Sequence, residues 1–145
     1  MGDTLELVGQ MLAYAGVGLV VLLLGFFVLD LLTPGKLGEL VMNRNPNAAI
    51  IASANLVSLG LVLWFAIFFS GTGSEDISTA WNGLDDVAIF GVVAVALQAI
   101  SFIVLDVLTP GKLGSHVTET TFHPASVVSA SLQVAVAFII CASLT

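Results

Sequence analysis

Charge is scarce in this chain. Asp, Glu, Lys and Arg make up 9% of its 145 residues, hydrophobic residues make up 58%, and the mean hydropathy is +1.10. A soluble domain carries about 25% charged residues, so a chain this poor in them could not stay dissolved and reads as an integral membrane protein. Positive charge is scarcest, with 3 Lys and Arg against 10 Asp and Glu. That excludes the basic footprint by which proteins bind nucleic acid. The single cysteine, Cys141, permits no intrachain disulfide. It sits inside an apolar run and reads as a small packing residue, with a link between subunits as the lesser alternative.

Other absences narrow the class further. The first ten residues, MGDTLELVGQ, contain no Lys or Arg, so the basic region of a signal peptide is missing. The apolar run that follows is too long for a signal peptide, and the N-terminus is expected to be retained. No serine lies in a nucleophile elbow and no glycine run fits a phosphate-binding loop. Neither catalysis nor a cofactor is expected.

What the chain does have is four apolar runs long enough for the ~20 residues a bilayer crossing needs: Met11–Leu32, Ala48–Phe69, Val87–Leu108 and Ala125–Leu144. The expected fold is all-α and integral to the membrane. Lys36, Arg44 and Lys112 all fall in the first and third loops, while the second loop carries Glu75, Asp76, Asp85 and Asp86. By the positive-inside rule the first and third loops are cytoplasmic and both termini periplasmic. Tyr14, Trp64 and Trp81 fall near the outer interface, as an aromatic belt would.

The chain also repeats itself. LDLLTPGKLGELV begins at Leu29 and LDVLTPGKLGSHV begins at Leu105. In the preceding runs Ala15, Gly18, Leu22 and Gly25 align with Gly91, Ala94, Gln98 and Ser101, each set on one helix face. With a two-residue shift, Asn45-Pro46 aligns with His123-Pro124, Ser53 with Ser131 and Asn55 with Gln133. The expected arrangement is one membrane domain over 1–145, built of two helical hairpins of the same orientation, about 8–70 and 84–145. Thr33-Pro34-Gly35-Lys36 has type II turn chemistry, with positive φ expected at the glycine, and Thr109-Pro110-Gly111-Lys112 repeats it. Asn45 suits an N-cap and Pro46 the first helical position, and His123 is a poorer cap.

The doubled LDxLTPGKLG, the NPN or HPA restart and the four-span layout together resemble the YjfL-like family, a domain-of-unknown-function family of small bacterial inner-membrane proteins. The resemblance covers nearly the whole chain. It implies a bacterial inner-membrane location and internal duplication, and it supplies no activity or ligand residue.

Asp30 and Asp106 ask for an explanation. Each lies at the end of an apolar helix, where both lipid and the negative end of the helix dipole disfavour an anion. Three partners are open: a lysine of the same or the other repeat, the N-terminus of a following helix, or a cation or proton in transit. Asn55, Gln98 and Gln133 lie seven to nine residues from the cytoplasmic helix ends, about 12 Å deep at 1.5 Å per residue. They are either interhelical hydrogen-bonding groups or the lining of a path that continues to the aspartates. His116, Glu119 and His123 fit no closed zinc-site spacing and read as solvated loop residues, a pH-responsive pair being the lesser alternative.

The functional expectation is a small cation or proton channel or transporter. Asp30 and Asp106 form its inner mouth, and Asn55, Gln98 and Gln133 a midplane site. The alternative is a scaffold presenting the two TPGK loops, with Lys36, Arg44 and Lys112, to a cytoplasmic protein or to lipid headgroups. Beyond the bilayer, the expected partner is a second copy of the chain, since small-residue stripes offer close-packing surface.

Overall fold

A computed structural model of the chain describes residues 2–71, 83–108 and 113–144. These residues form six helices and no strand: α1 Gly2–Leu32, α2 Leu37–Met42, α3 Pro46–Gly71, α4 Gly83–Leu108, α5 Leu113–Val117 and α6 Pro124–Ser143. The long ones, α1, α3, α4 and α6, are each long and apolar enough to cross a bilayer. Helix is forced there, because in lipid every backbone N–H and C=O must be satisfied within the segment. α1 begins at Gly2, nine residues before the apolar run. Glu6 and Gln10 break the run without breaking the helix, since nothing in their side chains opposes helical backbone. The short helices α2 and α5 replace part of the loops that the sequence predicts there.

The bundle is a diamond. α3 and α6 share the most extensive contact, α1 packs on α4 and on α3, and α3 also meets α4 across the short diagonal. Asn47 meets Ser126 at one end of the α3–α6 pair and Leu61 meets Cys141 at the other, so these two helices run the same way. Gly25 faces Leu59 and Gly18 faces Leu63, so α1 and α3 run in opposite senses. α1 is the least buried of the four.

Lipid tails are as apolar as leucine, so association rests on close packing rather than on hydrophobic transfer. Glycine supplies the closeness. A Cβ at Gly91 would lie 2.8 and 2.9 Å from the two methyls of Val21, and one at Gly25 would overlap Leu59. Ala15, at the start of the predicted stripe, is exposed, whereas Gly18, Gly25, Gly91, Ala94 and Gln98 are buried.

Two apolar clusters fill the interior. Toward the termini lie Val21, Leu59, Val62, Leu63, Val87, Val95, Ala137 and Ile140, and toward the short helices lie Leu29, Leu37, Ala48, Ile51, Ala52, Phe102 and Val117. Leu37 and Val117 are fully buried. The apolar spacing of Leu37, Leu40 and Val41 holds α2 against the bundle end.

The ends of the elements follow local chemistry. Gly35 has φ 89°, the positive value the Pro-Gly turn requires. α2 closes with a Schellman motif: Asn45 N donates to Leu40 O at 3.0 Å and Arg44 N to Val41 O at 3.1 Å. Arg44 occupies the left-handed position, φ 60°, where glycine is usual. Asn45 caps α3, its Oδ1 accepting from Asn47 N at 2.9 Å and Ala48 N at 3.2 Å. His123 caps α6 through Nδ1, which accepts from Ala125 N at 3.1 Å.

Asn45 and Asn47 also reach across to the segment before α6. Asn45 Nδ2 donates to Val117 O and Glu119 O. Asn47 Nδ2 donates to His116 O (3.3 Å), Glu119 O (3.1 Å) and Thr121 O (2.8 Å), and its Oδ1 accepts from His123 N (2.8 Å) and Ser126 Oγ (3.2 Å). Two buried amides, Asn45 and Asn47, therefore hold this connection.

Candidate functional site

The two aspartates have the same partner. Asp30 Oδ1 accepts from Gly38 N at 2.7 Å, and Asp106 Oδ1 accepts from Gly114 N at 2.7 Å. In each case the donor is the second residue of the short helix that follows. The free N–H groups of a helix start attract an anion, and hydrogen bonds to a carboxylate are the short, strong kind. Of the three partners open in the sequence, the helix N-terminus is the one found. Among the described residues no lysine pairs with either aspartate; Lys36 Nζ lies 3.7 Å from Glu39 Oε1, both side chains exposed. The expectation of a swapped pairing with Lys112 falls outside the described residues, as do Thr109, Pro110, Gly111, Glu75, Asp76 and Trp81.

The turns themselves pack together. Thr33 is buried, and its Oγ1 donates to Leu29 O at 2.9 Å, tying off the end of α1. Pro34 lies against Gly114, where a Cβ would meet its ring at 2.8 Å, and Gly35 lies near Thr118. Lys36 and Arg44 remain exposed.

Asn55, Gln98 and Gln133 come together in the interior, each no more than 3% exposed. Gln98 Nε2 donates to the main-chain oxygen of Gln133 at 3.0 Å. Asn55 and Gln98 border one cavity of about 10 Å³ with Gly25, Val28, Leu29, Val95 and Ala99. Ser58 and Ser129 add two fully buried hydroxyls that sequence reading did not single out as site residues. Asn55 Nδ2, Ser58 Oγ, Gln98 Oε1, Ser129 Oγ and both side-chain polar atoms of Gln133 are buried without a hydrogen-bond partner. Such atoms are few in folded proteins, and leaving one unpaired costs about 1–3 kcal/mol. Ser53 and Ser131, the other aligned pair, are exposed and donate to the carbonyls of Ala49 and Val127.

This polar layer does not run continuously to the aspartates. Gln98 and Asp106 are eight residues apart on α4, about 12 Å of helix rise. Phe102 stands between them on α4, in one apolar cluster with Ile51 and Ala52 of α3.

His116, Glu119 and His123 lie within reach of one another, their ligand atoms within 4.8 Å. His116 Nδ1 is 3.0 Å from Glu119 Oε1, and the two imidazoles stack with centroids 4.2 Å apart and planes 15° off parallel. A metal binds in the plane of an imidazole, and near-parallel stacked rings do not aim their lone pairs at one point. His123 Nδ1 is moreover engaged as the cap of α6, so in the neutral ring the proton sits on Nε2. The cluster is arranged as a loop fastening.

Comparison with known proteins agrees with the membrane architecture. A sequence profile of the family described as Domain of Unknown Function (DUF350) matches residues 3–144. A UPF0719 transmembrane protein of Mycolicibacterium paratuberculosis (strain ATCC BAA-968 / K-10) is 39% identical over 124 residues, covering 85% of this chain and 78% of the relative. A UPF0719 transmembrane protein of Mycobacterium bovis (strain ATCC BAA-935 / AF2122/97) is 38% identical over 133 residues, covering 91% and 84%. No solved structure matches.

Proposed function

Since the chain belongs to the DUF350 family, whose description assigns no activity, we propose its function from the site itself: a small multi-pass membrane protein that passes a cation or a proton through the polar layer of its helix bundle. The observation that carries this reading is the group of unpartnered buried atoms on α3, α4 and α6. Polar residues that merely bind helices together use up their donors and acceptors on one another. Here six atoms stay open on three neighbouring helices. Gln98 Oε1, Gln133 Oε1 and the hydroxyls of Ser58 and Ser129 are the neutral oxygens that replace a cation's hydration shell. None of these groups titrates, so a proton would travel on water, and the cavity of about 10 Å³ has room for about one molecule.

In this reading the conformation is closed. Phe102, in one apolar cluster with Ile51 and Ala52, lies below Gln98 on α4, and apolar constrictions gate by excluding water. Asp30 and Asp106 concentrate cations at the inner mouth. We place that mouth in the cytoplasm and both termini in the periplasm of a bacterial inner membrane, by the positive-inside rule. We further read the chain as a duplicated hairpin of the YjfL-like type, acting as a homodimer. The twin Asp30–Gly38 and Asp106–Gly114 bonds support the duplication.

The test is flux of protons, sodium and potassium in proteoliposomes. Wild type is expected to conduct at least one of them, Gln98→Leu/Gln133→Leu to abolish it, and Phe102→Ala to raise it. Asp30→Asn/Asp106→Asn keeps both acceptor oxygens and should lower flux through loss of charge alone. Folded, inserted wild type and Phe102→Ala that both pass no ion would refute the reading. The scaffold reading would then stand, favoured by the exposure of Lys36 and Arg44 at positive φ. Replacing both together with Lys112 would have to release a bound partner.

A further inference from the structure

The lipid-facing side of α1 carries a groove of about 580 Å³, lined by Leu23, Phe26, Phe27, Asp30, Lys36, Gly38 and Glu39. Its size is that of a small-molecule site. Leu23 and Phe27 are 61% and 63% exposed and form an apolar trough along the helix. The charged residues gather at one end, beside the Pro-Gly turn. An apolar trough with a polar end at the edge of a membrane span has the polarity of a phospholipid lying along the helix.

The charges select the headgroup. Asp30 and Glu39 are two carboxylates, and Lys36 is a single ammonium. The Lys36–Glu39 pair, at 3.7 Å with both side chains more than two-thirds exposed, is weak and readily exchanged for other partners. The main-chain bond from Gly38 engages Oδ1 of Asp30 and leaves its other oxygen outside that bond. Two anions and one cation complement a headgroup with an N–H-bearing ammonium and a phosphate. The ammonium would sit between Asp30 and Glu39, and the phosphate on Lys36. An anionic headgroup without an amine would meet the two carboxylates unfavourably. A choline headgroup carries charge but no N–H to donate. We propose that this groove binds a phospholipid with a primary-amine headgroup, phosphatidylethanolamine in type, one per chain. Ser115 stands in the second copy where Glu39 stands in the first, so that copy lacks the second carboxylate. The proposal does not depend on ion conduction.

Native mass spectrometry of the full chain tests it, after equilibration with equal amounts of phosphatidylethanolamine, phosphatidylcholine and phosphatidylglycerol. One phosphatidylethanolamine should be retained per chain, preferred about fivefold over the other two, as two exposed charge contacts would give. Glu39→Gln and Asp30→Asn should each reduce the preference, and together remove it. Glu39 is exposed, so its variant cannot disturb the fold, and Asp30→Asn keeps the acceptor for Gly38. Equal retention of the three lipids, a preference for phosphatidylglycerol, or a preference untouched by both substitutions would overturn the proposal.

Discussion

Asn47→Ala tests whether one buried amide holds the two halves of the chain together. Its five hydrogen bonds do not count equally. Glu119 O keeps Asn45 Nδ2 at 3.0 Å, His116 O keeps Glu119 N at 3.3 Å, and Ser126 Oγ keeps His123 O at 2.7 Å. The groups left without a replacement are His123 N–H and Thr121 O, each bonded to Asn47 at 2.8 Å. An orphaned donor costs about 1–3 kcal/mol and the lost carbonyl bond about 1, so alanine should destabilise the fold by about 2–4 kcal/mol. Unfolding in lipid nanodiscs, followed by circular dichroism, reads this directly. Ser126→Ala is the control, expected below about 1 kcal/mol because the hydroxyl makes neutral bonds only. Asn47→Ala with the same stability as wild type would mean that the loop carries itself and that the shared amide is incidental.

Asp30→Ala removes the acceptor of Gly38 N–H and should cost about 1.5–3 kcal/mol, as a hydrogen bond to a charged group does. Asp30→Asn should recover most of it, and equal losses in the same unfolding assay would show that charge rather than acceptor geometry matters. Gly91→Ala forces a methyl onto the stiff Val21 side chain and should cost about 1–3 kcal/mol. Gly16→Ala meets nothing within 4 Å and should be neutral or mildly stabilising. A reversed order would refute the close α1–α4 contact.

The spans were legible because lipid leaves a chain no alternative to apolar helix. Their ends at Leu32 and Leu108 were marked by the Thr-Pro-Gly turns, and the caps at Asn45 and His123 by the prolines that follow. The start of α1 was not, since hydropathy reports where the bilayer begins and not where the helix does. α2 and α5 escaped because six and five residues are too few for periodicity to stand out. A helix N-terminus was among the partners open to Asp30 in the sequence, but not which one, since α2 itself was not legible. Asn55, Gln98 and Gln133 were found by polarity alone. Ser58 carries no comparable signal, because serine is common in membrane helices. Asn47 had no signal in the repeat, where Ala125 occupies the aligned position. Its importance lies in carbonyls more than 65 residues away.

Those distant carbonyls bear on how the protein is made. Asn47 is bonded to groups 69 to 79 residues further along the chain. At about 5–20 residues per second of synthesis, the amide waits several seconds for its partners. Until the segment ending at Ser126 emerges, a polar side chain at the mouth of a lipid-embedded helix has only water or a chaperone to satisfy it. Val21 waits nearly as long for Gly91, although Leu59 and Leu63 of α3 already cover Gly25 and Gly18. A chain that stops short therefore displays an unmet amide at Asn47 and a Val21 without its partner Gly91.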